Sequence, residues 1–217
     1  MIDSVDVVLF DNDGVLVDTE PLFFRATREV LATVGVELDE AAYRAISLVR
    51  GENMFELAAA RGVSPEEIRG LRRERDARYS ESIREGVDVL PGVRSTLARL
   101  QGVRPMAVVT SAERWDFDGV HARTGLLPHF EFVLASGDYA RHKPHPDPYL
   151  AAADRFGVAP ARCVVIEDTQ RGVEAAHAAG MRCIAIPQPL SRGSDFGRAE
   201  QVLDSMTELL GLIGLGG

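Results

Sequence analysis

The stretch Val7-Val8-Leu9-Phe10-Asp11-Asn12-Asp13-Gly14-Val15-Leu16-Val17-Asp18 decides how the chain is read. Its first four residues are apolar and rich in β-branched side chains, and they stop at a turn signal, which marks a buried strand. Asp11 and Asp13 then fall at the strand's C-terminal end, where open α/β sheets carry their sites. Residues two apart on a strand share a face, so both carboxylates can address one spot. Two like charges held that close need a cation or a proton between them. Gly14 lets the backbone turn sharply away. One carboxylate can attack and the other can move a proton, with a hard divalent cation screening both.

Outward from this stretch, strand-like and helix-like segments alternate after residue 90. MAVVT (106–110), FEFVLAS (130–136), CVVIED (163–168) and RCIAIP (182–187) read as strands, and 113–124, 146–157 and 170–180 as helices. The alternation predicts an α/β fold, a Rossmann-like parallel sheet with helices on both faces. Right-handed crossovers would gather the strand C-termini at one edge. Residues 20 to 86 break the pattern, with helix-rich runs and no convincing strand. Ser64 followed by Pro65, Glu66 and Glu67 is a helix start. Leu90-Pro91-Gly92 punctuates the return. The expected organisation is an α/β core from 1–18 and 87–217, with a helical insertion over 19–86. The tail GLIGLGG, 211–217, is expected to fray.

At 217 residues the chain fits one domain, or one domain with a smaller insertion. A net charge of −9 argues against a nucleic-acid partner. An anionic substrate must therefore be drawn in by local positive charge, from a metal and Lys143. The N-terminus lacks the basic start of a signal peptide. No run approaches the ~18 apolar residues of a membrane span. Two cysteines, Cys163 and Cys183, each begin a strand-like run. Buried free thiols and a cytoplasmic location are expected.

Three more segments carry chemistry. MAVVTSA (106–112) leads into Thr110 and Ser111. SGDYARHKPHPDPY (136–149) carries Lys143 among prolines that stiffen the loop. CVVIEDTQRGVEAAHAAG (163–180) ends its strand in Glu167-Asp168 and opens a helix. The order of acidic pair, hydroxyl, lysine and second acidic pair resembles the haloacid dehalogenase superfamily of phosphotransferases. The likeness is to its phosphatase and β-phosphoglucomutase-like branch, and it runs from Val5 to about Pro187.

The resemblance implies that 19–86 forms a small α-helical cap, hinged near Val17–Glu20 and Gly86–Leu90, that closes over the site. It makes Asp11 the nucleophile, forming an aspartyl phosphate, and Asp13 the general acid/base. Thr110 would donate its hydroxyl to a phosphate oxygen, and Ser111 and Ala112 would offer backbone N–H groups. Lys143 would clamp the phosphate and Asp11. Mg²⁺ would be held by Asp11, the Asp13 carbonyl and Asp168, with Glu167 as a water-mediated partner. Gly172 would allow a close approach of the helix behind this loop. The family usually places an apolar residue where Asn12 stands, and Asn12 is expected to point away from the site.

Several other residues invite readings. His142 and His145 flank Lys143, but a loop pair without further ligands is a weak zinc signal. Arg114 and Trp115 either line a pocket or pack a helix start. Dehalogenation is disfavoured, since Asp13 and Asp168 suit phosphate chemistry. The family's mutases carry a histidine where this chain has Phe23 and a substrate-phosphate arginine where it has Met54, with Arg50 left as a cap contact for an anion. The expected activity is Mg²⁺-dependent hydrolysis of a small phosphorylated metabolite such as a sugar phosphate, by a monomer. The alternatives are a β-phosphoglucomutase-type mutase and, outside enzymes, a phospho-accepting signalling domain.

Overall fold

Val7–Phe10 forms β1, and its lack of polar side chains suits the place it takes. It lies mid-sheet, paired in parallel with β2 (Met106–Val109) on one side and β4 (Cys163–Glu167) on the other. The structure, a computed structural model, describes residues 5–213. Of the tail 211–217 expected to fray, Gly211 and Leu212 end a short helix at Leu209–Leu212 and Ile213 is buried, while 214–217 lie outside the described residues. With β3 (Phe132–Leu134), β5 (Arg182–Ala185) and β6 (Gln201–Val202) the sheet runs β3-β2-β1-β4-β5-β6, every pair parallel.

Side chains alternate across the pleat, so each strand feeds two apolar layers. Val8, Phe10, Val108, Val164 and Ile166 pack on one face. Val7, Leu9, Ala107, Val109 and Val165 pack on the other. The helices α5 (Val93–Leu100), α6 (Arg114–His121), α7 (Asp147–Phe156) and α8 (Gln170–Ala178) cover the faces. Strand β6 was not expected from the sequence. It is two exposed residues at the sheet edge, with no apolar run to announce it. Strand β3 is shorter than the 130–136 expected, because a one-turn 3₁₀ helix at Leu127–His129 delivers the chain only at Phe132.

Between β1 and α5 the chain is helical: α1 (Glu20–Ala32), α2 (Glu40–Tyr43) running into a π-helical turn at Arg44–Val49, α3 (Glu56–Ala59) and α4 (Pro65–Glu85). Helix α4 begins as the sequence indicated, with Ser64 and Glu67 forming a capping box. Phe24, Leu31, Tyr43, Leu48, Phe55 and Leu71 make an apolar cluster within this segment. The chain enters and leaves it side by side. Asp18 N–H donates to Asp88 C=O at 2.9 Å and Leu90 N–H donates to Leu16 C=O at 3.1 Å, a short antiparallel ribbon centred on Val17 and Val89. Cys163 and Cys183 are free and buried. Among the described residues no helix is long and apolar enough to cross a membrane.

Candidate active site

The central strands bring three motifs to one edge. Asp11 follows β1 directly, Thr110 follows β2, and Glu167 and Asp168 stand at the end of β4. Register holds them level, since Phe10 lies opposite both Val108 and Ile166. Lys143 reaches under these ends from the loop before α7. Its Nζ donates to Asp11 Oδ1 at 2.7 Å, Glu167 Oε1 at 2.7 Å and the Val109 carbonyl at 3.0 Å. An ammonium has three donors, and here each finds an acceptor. Burial opposes its charge, but Asp11 and Glu167 outweigh burial and hold its pKa above the ordinary lysine value.

Glu167 is wholly buried and fully satisfied. Oε1 accepts from Lys143 and from the Tyr149 hydroxyl, each at 2.7 Å. Oε2 accepts from the Asp168 and Thr169 amides and the Thr169 hydroxyl. Burial pushes its pKa up, yet Lys143 and these donors hold it below the usual carboxylate range. Both oxygens are thus engaged in fixing Lys143 and the loop. Gly172 admits this carboxylate to the first turn of α8, because a Cβ there would stand 1.9 Å from Glu167 Cδ.

Asp168 is also buried, but its Oδ1 has no hydrogen-bond partner. Burial, then Glu167 and Asp11, push its carboxyl well above the usual range. Gly14, at φ 75°, makes room for it, since a Cβ there would lie 2.2 Å from Asp168 Oδ2. Asp11, Glu167 and Asp168 bring carboxylate oxygens within 4.8 Å of one another. Burial raises the Asp11 pKa to about 7 against the pull of Lys143, with Glu167 and Asp13 adding to the rise. A buried carboxylate oxygen without a donor, beside a second carboxylate, fits a hard divalent cation.

Asp13 is half-buried and held by two hydroxyls. Thr19 donates to Oδ1, and Thr110 donates to Oδ2 at 3.3 Å. The Thr110 side chain, expected to face a phosphate, is fully buried and orients Asp13, while its oxygen accepts from Ala112 N–H at 3.0 Å. Ser111 and Ala112 line the cleft above.

That cleft has a volume of about 680 Å³, with Asp11, Asp13 and Lys143 on one side and Phe23, Arg75 and Tyr79 among the residues on the other. Arg50 is not among its lining residues; its Nε is held by Glu52 at 2.6 Å on the surface. Arg114 is tied to Asp138 and the Val133 carbonyl, so it serves packing, whereas Trp115 stands exposed at the cleft. His142 lines the cleft and His145 does not.

Asn12 points away from the cleft and is fully buried. Its Oδ1 lies 2.7 Å from His121 Nε2, and His121 Nδ1 lies 2.8 Å from the Thr124 hydroxyl. Burial lowers the His121 pKa to about 4, which keeps the ring neutral. Tyr149, Thr19 and His121 are supports the sequence reading missed. Their partners lie 18, 6 and 109 residues away, beyond any local pattern.

A family model described as haloacid dehalogenase-like hydrolase matches residues 8–186. The chain belongs to that family. YqaB of Escherichia coli, a fructose-1-phosphate phosphatase, is 35% identical over 182 residues, which cover 82% of this chain and 95% of the relative. Among solved structures, a mutant of CbbY from Rhodobacter sphaeroides in complex with xylulose-(1,5)bisphosphate aligns with TM-score 0.80 at 29% identity, over 98% of this chain and 100% of that one. A β-phosphoglucomutase from Clostridium difficile aligns with TM-score 0.81 at 26% identity, over 97% and 96% of the two chains.

Proposed function

We propose that this hydrolase is a Mg²⁺-dependent phosphatase of small phosphorylated metabolites, sugar phosphates foremost, working through an aspartyl phosphate. The observation that carries the reading is the buried Lys143 bridging Asp11 and Glu167, beside the unpartnered Oδ1 of Asp168. Phosphoryl transfer needs an in-line nucleophile and positive charge around the moving group. Lys143 engages Asp11 Oδ1, which leaves Oδ2 to attack phosphorus. As the P–O bond to the alcohol breaks, Asp13 gives its proton to the leaving oxygen. Asp13 then accepts a proton from the water that attacks the phosphorus of phospho-Asp11, which releases phosphate and restores the free carboxylate. Ser111 and Ala112 would receive the phosphate oxygens at the turn. Asp11, Asp168 and the Asp13 carbonyl would hold Mg²⁺, which when bound neutralises the charge of Asp11 and the phosphate.

Residues 19–86 are the proposed cap, and the ribbon at Val17 and Val89 its hinge. An apolar cluster drawn from this segment, joined by Leu190, and its paired entry and exit strands support that division. Cap closure would keep bulk water from the acyl phosphate. All proposed catalytic groups come from one chain, so a monomer suffices, and the buried free thiols suit the cytoplasm. The mutase reading is weaker, because Phe23 and Met54 stand where that branch has its histidine and arginine.

The test is phosphate release across a panel of sugar phosphates, including fructose 1-phosphate and β-glucose 1-phosphate, with Mg²⁺ and with EDTA. Free phosphate that disappears with EDTA supports the reading. Glucose 6-phosphate formed from β-glucose 1-phosphate with little free phosphate would overturn it in favour of a mutase.

A further inference from the structure

Handling of the reacting phosphate explains Lys143 but leaves a second cation of the same cleft without a task. Among the described residues, the guanidinium groups that line the cleft belong to Arg75 and Arg171. Arg75 is already engaged. It donates to Asp76 Oδ1 at 2.6 Å, and its guanidinium carbon lies 4.4 Å from the Phe23 ring centroid and 5.6 Å from that of Phe55. Arg171 is partly buried, and its side chain makes no ion pair and no hydrogen bond among the described residues. Its Nε is shut off from solvent without an acceptor. A guanidinium carries five donors in a fixed fork, and a buried donor calls for an acceptor.

Arg171 stands in the first turn of α8, and its side chain reaches the loop that follows the π-helical turn. A Cβ on Gly51 would lie 3.4 Å from Arg171 Nη1 and 3.7 Å from its Cδ. Gly51, Glu52, Asn53 and Met54 of that loop all line the cleft. Met54 is buried there, where the family's mutases carry an arginine, and Arg50 is drawn off to Glu52. The loop thus offers no free cation of its own, and the α/β core brings Arg171 to it. Two carboxylates of the lining are countered elsewhere, Glu52 by Arg50 and Asp76 by Arg75. Glu20 lies within electrostatic reach of Arg171, but its Oε1 accepts from the Tyr43 hydroxyl at 2.5 Å and not from the guanidinium.

Resting on the phosphatase reading, we infer that Arg171 is a specificity-determining residue that receives a second oxyanion, a carboxylate or a phosphate, on the organic half of the substrate. The phosphate being transferred sits by Asp11 and Lys143. The second oxyanion takes the planar N–H fork of Arg171 against the loop at Gly51 and Met54. Arg171 touches no reacting atom, so its contact holds substrate and transition state alike and is felt in KM.

The experiment measures kcat and KM on matched esters with and without a second oxyanion, at saturating Mg²⁺. The pairs are fructose 1,6-bisphosphate against fructose 1-phosphate, and phosphoglycolate against 2-hydroxyethyl phosphate. The unmodified enzyme should favour the doubly anionic member of at least one pair by roughly 10–100-fold in kcat/KM, and the pair that responds tells a phosphate from a carboxylate. Arg171→Gln should abolish that preference, and through KM rather than kcat. Arg171→Lys, a point charge without the fork, should restore only part of it. An unmodified enzyme that favours neither doubly anionic ester would overturn the inference. So would a preference that survives Arg171→Gln, or a variant that loses equally on both members of each pair. In all three cases Mg²⁺-dependent hydrolysis of p-nitrophenyl phosphate by the unmodified enzyme keeps the phosphatase reading standing. If that ester too is left uncleaved, the phosphatase reading falls and this inference with it.

Discussion

Gly172→Ala separates helix propensity from site geometry, because the two give opposite signs. Gly172 lies in the first turn of α8 without a positive φ, and alanine in a helix normally stabilises by about 0.5–1 kcal/mol over glycine. Here the added Cβ would stand 1.9 Å from both Cδ and Oε1 of Glu167. Heavy-atom contacts settle at roughly 3.5–4.0 Å, so about 1.6 Å of movement must be found. If Glu167 moves, it leaves Lys143 and Tyr149, both now at 2.7 Å. Overpacking costs about 1–3 kcal/mol and a lost hydrogen bond to a charged group about 1.5–3 kcal/mol. Set against the propensity gain, the net is a destabilisation of about 1.5–5.5 kcal/mol, or roughly 3–22 °C in Tm for a chain of this size.

Displacing Lys143 by a fraction of that movement should also lower kcat by roughly 10–100-fold. The control is Gly70→Ala in α4, where the nearest atom to a new Cβ is the end of the Arg73 side chain at 3.9 Å. That variant should gain about 0.5–1 kcal/mol and keep full activity. Differential scanning calorimetry and steady-state kinetics on both variants provide the test. A Gly172→Ala protein as stable and as active as Gly70→Ala would refute the account of Glu167.

Other perturbations follow from the same geometry. Lys143→Met leaves Glu167 buried without its cation, which should cost about 3–5 kcal/mol near pH 8. In the native protein Glu167 has a lowered pKa, so its contribution is present above the unfolded carboxylate value and lost as pH falls through the folded one. Without Lys143 burial raises that pKa and the sign reverses, so urea midpoints of variant and wild type should converge toward pH 5, and a constant gap would contradict the pairing. His121, neutral with its pKa lowered to about 4, contributes stability above its unfolded value near pH 6.5 that is lost as pH falls toward 4, on the order of 3 kcal/mol. His121→Gln should flatten this acid limb in pH-dependent denaturation, and an unchanged limb would place the titration elsewhere. Mg²⁺ at 100 times its Kd should stabilise the fold by about 2.7 kcal/mol, read as a Tm rise that EDTA reverses and that Asp168→Asn lacks.

The sheet was legible because its strands are buried on both faces and therefore apolar throughout, as in VVLF and CVVIE. The edge strand β6 escaped notice for the complementary reason that Gln201 and Val202 are exposed and bury nothing. Asp11, Asp13, Lys143 and Asp168 could be picked out because each stands at a strand end or in a proline-punctuated loop with a recognisable neighbour. What their side chains touch could not be read. Glu167 reads as a water-mediated metal partner from its place beside Asp168, but nothing in the sequence tells that its oxygens also accept from Lys143, Tyr149 and Thr169. Thr110 looked like a phosphate donor, but its hydroxyl turns to Asp13. Arg50 looked like a cap contact, but Glu52 two residues on captures it outside the cleft. For Glu167 and Thr110 the hydrogen-bond partners are brought by tertiary packing, which local sequence does not show.

The most direct test of the central claim uses Asp13→Asn, which lacks the proton acceptor for dephosphorylation, with p-nitrophenyl phosphate, whose leaving group needs no proton, in the presence of Mg²⁺. Mass spectrometry of the quenched protein should find one phosphoryl group on the peptide carrying Asp11, labile to hydroxylamine and absent when Asp11 is also changed to Asn. Nitrophenol release that continues in the Asp11→Asn enzyme, or a phosphoryl group on any other residue, would contradict an aspartyl-phosphate mechanism at Asp11.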